Sequence, residues 1–263
     1  MTQKEFFSDL VWLGKIIRFS HSTDTSGWRL ETKYNDKNDQ LTAEDYNIDA
    51  VNYRKPSAAY GTFRCRNVKN DGDIAVLKII MQIPYGGSEY GLLAERARQA
   101  TDILPNNACH EIEPLQILTK NKSKVTPIIR EFELLTQDDE GLVPGGFLYY
   151  ILMDHAPGIQ LKDDVFWSFE YGERHRIRNA FRVAWEECLQ TGVYAAHSSP
   201  SHLFWNAESS RIVIAGFSFS RPAEPDDKWT DIEWVFWGLA DCPTTYFYDQ
   251  EALDRSDKSD WTL

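Results

Sequence analysis

Cysteine is scarce in this chain. There are four in 263 residues, at positions 65, 109, 188 and 242. They lie far apart and match no metal-ligand spacing, so they read as buried or inert thiols rather than a zinc site or a disulfide framework. Basic residues are few relative to acids, 28 Lys and Arg against 40 Asp and Glu, for a net charge of −12. No strand or face is basic enough to offset that charge. Nucleic acid and anionic membrane are therefore excluded as expected partners, because both are held by clustered Lys and Arg. Long hydrophobic runs are missing: Phe147 to Met153 is among the longest and is far short of a bilayer span. Met1-Thr-Gln-Lys-Glu has no basic stretch leading into a long apolar run, so no secretory signal is expected and a cytoplasmic protein is. Internal repeats and low-complexity tracts are absent too.

The acid that is present is uneven. Residues 224–263 hold eleven Asp or Glu against three Lys or Arg, a net of −8. Aromatic residues reach 13%, and seven of the nine Trp follow residue 150. A core built from large rings explains them better than an aromatic cage. The length suits one large domain, or one domain in two lobes.

Along the chain, residues 5–20 fit a helix or a strand equally, and polar residues 21–60 read as loop or a weakly ordered insertion. Tyr60 to Val68 alternates like a strand. Asn70-Asp-Gly-Asp then marks a turn into Ile74 to Ile83, a buried strand with one internal Lys, Lys78. Residues 89–119 read as a helix broken by Pro105. Ile128 to Leu135 and Phe147 to Met153 are strand candidates around a turn at Gln137-Asp-Asp-Glu-Gly. Residues 172–190 carry Ile177, Phe181, Ala184, Trp185 and Cys188 at helical spacing. A short strand pair (Leu203 to Trp205, Arg211 to Ala215) and an apolar helix from Thr230 to Ala240 follow.

This order of parts resembles the protein-kinase-like fold: a strand with an internal Lys, a helix, a connector, then a helix, a loop and a β-ribbon. Ala75-Val-Leu-Lys78-Ile resembles the strand whose Lys grips nucleotide phosphates. Tyr150-Ile-Leu-Met-Asp154-His-Ala-Pro-Gly158 resembles the hinge of aminoglycoside-phosphotransferase-type kinases. The run from Leu203 to Phe217 resembles the stretch from catalytic loop to metal-binding Asp. Met81-Gln-Ile-Pro-Tyr, Arg96-Ala-Arg-Gln-Ala, Gly141-Leu-Val-Pro-Gly-Gly-Phe and Trp237-Gly-Leu-Ala resemble a fungal group of kinase-like proteins. The resemblance covers roughly residues 60–245. It implies an α+β, two-lobed protein-kinase-like fold with a β-rich N-lobe at 60–153 and a truncated helical C-lobe at 154–245. An extension, partly loop, precedes them at 1–59, and an acidic tail follows at 246–263.

The departures from that pattern bear on function. Phosphoryl transfer needs charged groups in set places. The resemblance puts His197 at the catalytic Asp position, His202 at the metal-binding Asn position and Gly216 at the metal-binding Asp position. Gly61 stands alone where a glycine-rich phosphate loop belongs. With base, metal ligands and phosphate loop missing together, the expectation is a pseudokinase. Such a protein would bind or scaffold, holding a small molecule or peptide in its cleft near Lys78, Glu111, Met153, His155 and Gly216. No metal or cofactor is expected, and phosphotransferase activity is not.

Several single residues carry a plain reading beside the functional one. Lys78 fits ion pairing with a buried carboxylate such as Glu111 as well as it fits ligand binding. His197 and His202 suit proton transfer near neutral pH. The alternative function is therefore a repurposed enzyme using them as acid and base on a small molecule, possibly in fungal secondary metabolism. Ordinary loop histidines bonded to Ser198, Ser199 or Ser201 are the plainer reading of the pair.

Overall fold

The computed structural model describes residues 4–21, 27–52, 56–196, 199–243 and 258–263, with the side chains of 48–52 left aside. The protein is mixed α+β, and its contacts divide it into two compact units. Unit 1 comprises Met1–Cys109 and Ile129–His155; unit 2 comprises His110–Ile128 and Ala156–Leu263.

Unit 1 contains α1 (Asp9–Trp12), β1 (Ile16–Ile17), β2 (Trp28–Asp39), α2 (Ala43–Asn52), β3 (Ala58–Asn67), β4 (Ile74–Gln82), α3 (Leu93–Ala97), β5 (Ile129–Thr136) and β6 (Phe147–Asp154). The strands form one antiparallel sheet in the order β1-β2-β3-β4-β6-β5. Alternation puts Ala59, Phe63 and Cys65 of β3, Ala75, Leu77, Ile79 and Met81 of β4, and Tyr150 and Leu152 of β6 in one core. Phe7, Trp12, Trp28 and Leu30 complete it. The Phe7 ring packs 5.1 Å from Trp12 and 5.9 Å from Phe63. Gly61 makes room for it, since a β-carbon there would lie 2.9 Å from the Phe7 ring. This isolated glycine thus serves core packing.

The polar stretch 21–60, expected as loop, instead supplies β2 and α2. β2 is buried at its start, at Trp28 and Leu30, and mostly half-exposed beyond. Beyond Leu30 its hold is polar rather than apolar. The backbone ladder ties it to β3, the Lys33 ammonium donates to the Phe7 carbonyl (3.0 Å), and the Asp36 carboxylate accepts from the Phe7 N–H (2.9 Å). Hydrophobic alternation cannot reveal a strand fixed in that way. At the N-terminal end of α2, the Thr42 hydroxyl accepts from the Asp45 N–H (3.0 Å).

Unit 2 holds most of α4 (Asn106–Lys120), together with β7 (Ile159–Gln160), α5 (Asp163–Ser168), α6 (Tyr171–Gln190), β8 (Val193–Tyr194), β9 (Leu203–Asn206), β10 (Arg211–Ile214), β11 (Arg221–Pro222) and α7 (Ile232–Phe236). A three-residue 3₁₀ turn, Pro200–His202, leads into β9. β9 pairs with β10 and with β7, and β11 pairs with β8. The periodic face of α6 is buried as its spacing requires, at Ile177, Phe181, Ala184, Trp185 and Cys188. Phe181 packs on Trp229 and Trp237 at 5.8 and 5.1 Å, and Trp185 packs on Trp229 at 5.4 Å. Trp185 and Trp237 are thus buried in the unit's core, with the partly buried Trp229 packed against them. Each such aromatic pair contributes about 0.5–1.5 kcal/mol beyond its area burial. The apolar helix expected over 230–240 is shorter: the chain leaves α7 at Trp237 and turns through Gly238 at φ 67°.

β7 owes its position to one residue. Gly158 has φ 100°, and a β-carbon on it would sit 2.2 Å from the Trp205 carbonyl oxygen. Only glycine lets the connector lie against β9 so closely. Among the described residues, no helix is long and apolar enough to cross a membrane.

Candidate functional site

The residues proposed from sequence fall into both units. In unit 1, Lys78 lies at mid-strand in β4, opposite Thr62 of β3 and Ile151 of β6. Met153 lies opposite Val76, so Lys78 and Met153 are diagonal neighbours on one face of the sheet, the face turned away from the aromatic core. The Lys78 ammonium is 6.0 Å from the centre of the Tyr60 ring, a cation–π distance. His155 follows β6, is exposed, and has its Nε2 3.3 Å from the Tyr34 hydroxyl.

In unit 2, Glu111, His202 and Gly216 gather around the ribbon's exit. Glu111 lies on α4 and is 6% exposed. Its carboxylate accepts a hydrogen bond from the Ser218 hydroxyl at 3.2 Å, across 107 residues of sequence. Two residues before Ser218 stands Gly216. The His202 carbonyl accepts from the Ala215 N–H (2.8 Å), which fixes Gly216 beside the imidazole. A β-carbon on Gly216 would lie 2.4 Å from His202 Cγ, 2.7 Å from Nδ1 and 2.8 Å from Cδ2. The imidazole thus fills the space that a side chain at 216 would need. Gly216 and His202 thus form one packing arrangement.

The serines around His202 bond to one another. The Ser199 and Ser201 hydroxyls are 2.7 Å apart, and Ser199 Oγ accepts from the Ser201 N–H (3.3 Å). His197 and Ser198 lie outside the described residues, so the geometry of the histidine pair is not described. Among the described residues, no group of three or more His, Cys, Asp or Glu is placed to hold a metal ion. Burial pushes the Cys65 and Cys188 thiols up to about 12, which leaves both as thiols at neutral pH.

Ser218 is the participant that sequence reasoning passed over. The available signal was a hydroxyl set between two phenylalanines, in a stretch where a buried acid awaited a donor. No protein-family model matches the chain, and no curated protein matches it either.

Proposed function

We propose that this chain is a pseudokinase-type protein: a kinase-like two-lobed fold that binds a small molecule or peptide and does not transfer phosphate from Mg-ATP. The order of elements supports the fold reading. A strand carrying Lys78 is followed by α4, then by β6 ending at Asp154, a connector through Gly158, the long helix α6, and the β9–β10 ribbon. The loss-of-catalysis reading is carried by the packing of His202 on Gly216. The position that would supply a metal-binding carboxylate has no room for one while His202 stands where it does. Neither Ser218 nor Phe217 offers a substitute carboxylate, and the nearby acid Glu111 is bonded to Ser218.

A melting-temperature titration with ATP, alone and with Mg²⁺ or Mn²⁺, tests this. A ligand held at 100 times its Kd stabilises the protein it binds by about 2.7 kcal/mol. The expected result is no metal-dependent rise in Tm. A rise that requires the metal would overturn the proposal.

A further inference from the structure

The strand order leaves β5 at the end of the unit 1 sheet. An end strand presents unpaired main-chain groups. Their direction follows from the ladder. The Gln137 N–H donates to the Gly146 carbonyl (2.8 Å), and the Gln137 carbonyl accepts from the Gly145 N–H (3.0 Å), so Gln137 faces β6. In an antiparallel pair this facing alternates. The N–H and C=O groups of Thr136, Leu134 and Phe132 therefore point outward.

Sheet edges in natural proteins are usually blunted by charge, proline or a covering element. Here the strand carries Arg130, Glu131 and Glu133, but Phe132 and Leu134 alternate with them, and among the described residues no strand pairs with its outer side. Phe132 is 37% exposed and Leu134 51%. Beside it lies a concavity of about 390 Å³, lined by Thr101, Asp102, Leu134, Leu135 and Phe147. An end strand with a mostly apolar recess next to it matches recognition by strand addition. There, main-chain bonds supply affinity, and a pocket selects alternate side chains.

Charge identifies the occupant. Asp102 lines the recess. The turn after β5 exposes Asp138, Asp139 and Glu140. The one basic residue of β5, Arg130, is already engaged by Asp73 and Asp154. A second copy of a chain carrying −12 would bring the same acids to the same edge, and like charges placed together oppose pairing. We infer that the β5 edge accepts an extended peptide of a partner protein in which apolar residues alternate with Lys or Arg, one apolar side chain entering the recess beside Asp102.

The test uses the whole chain and a labelled peptide of alternating Lys and Val, with an alternating Glu and Val peptide as its counterpart, at about 0.15 M ionic strength. Fluorescence anisotropy measures binding, and hydrogen exchange reads the amides of Phe132, Leu134 and Thr136. The proposal expects the Lys peptide to bind, the Glu peptide to bind at least about tenfold more weakly, and those three amides to slow. Leu134→Pro removes an outward N–H without breaking the bonds to β6, and it should abolish binding with the circular dichroism unchanged. Asp102→Asn should narrow the gap between the peptides while leaving the fold intact. Equal binding of both peptides would overturn the inference, as would binding with no slowing of the three amides. Dimerisation of the chain that Leu134→Pro abolishes would also overturn it, by assigning the edge to a second copy.

Discussion

Introducing a single methyl group at position 216 tests the packing that underlies the functional proposal. In Gly216→Ala the new β-carbon would meet His202 Cγ at 2.4 Å. That atom is one bond from the histidine's own β-carbon, so only rotation about χ1 clears it. The rotation would disturb a ring held beside the ribbon by the bond from Ala215 N–H to the His202 carbonyl. Overpacking of this kind costs about 1–3 kcal/mol. Gly216→Asp costs more, because it also buries a carboxylate with no assigned partner. The assay is urea unfolding followed by tryptophan fluorescence. Seven of the nine Trp lie in unit 2, so the signal reports mainly the unit in question. His202→Ala in the Gly216→Ala background removes the clash and should recover at least about 1 kcal/mol relative to additivity. Two results would refute the reasoning: a Gly216→Ala protein as stable as wild type, or single effects that add to within about 0.5 kcal/mol in the double variant.

Two further predictions concern other parts of the fold. Gly158→Ala should destabilise the protein by more than about 1 kcal/mol, since it strains a positive φ and drives a methyl group into the Trp205 carbonyl; equal urea midpoints for variant and wild type would contradict this. Glu89 gives a pH dependence. Burial alone would raise its carboxyl, but the Lys4 ammonium (2.8 Å) and donors from Gln40 (2.9 Å) and Gly87 (2.6 Å) outweigh it and hold the group at about 2, below its ordinary 4.5. A carboxyl lowered in the folded state stabilises it fully above pH 4.5, and that contribution fades as pH falls from 4.5 towards 2. Glu89→Gln should therefore cost about 1.5–3 kcal/mol at pH 6, and the gap from wild type should shrink at pH 3. A gap that is the same at both pH values would show that Glu89 titrates normally.

Where burial repeats along the chain, the sequence alone was enough. The alternation in Tyr60 to Val68 and the helical spacing from Ile177 to Cys188 both became elements close to where they were read. Most of β2 was hidden because, beyond Trp28 and Leu30, its hold comes from a ladder and from Lys33 and Asp36, and neither leaves an apolar period. That the late tryptophans serve packing was legible from composition, and Trp185, Trp205 and Trp237 are fully buried. The early end of α7 was not legible, since the apolar Leu239 and Ala240 continue past Gly238.

The sequence by itself determined the scarcity of base, the acidic final forty residues, the spread of four thiols, and which residue types occupy positions 78, 111, 202 and 216. Only the tertiary structure decided what those residues do to one another. Ser218 reaches Glu111 across 107 positions, and the His202 ring occupies the volume beside Gly216. The strand order that leaves β5 at the end of the sheet is equally non-local, because it depends on β6 pairing on both its sides. Contacts between distant segments are set by packing in three dimensions, and a linear pattern of residue types carries no record of which distant neighbour will fill a given space.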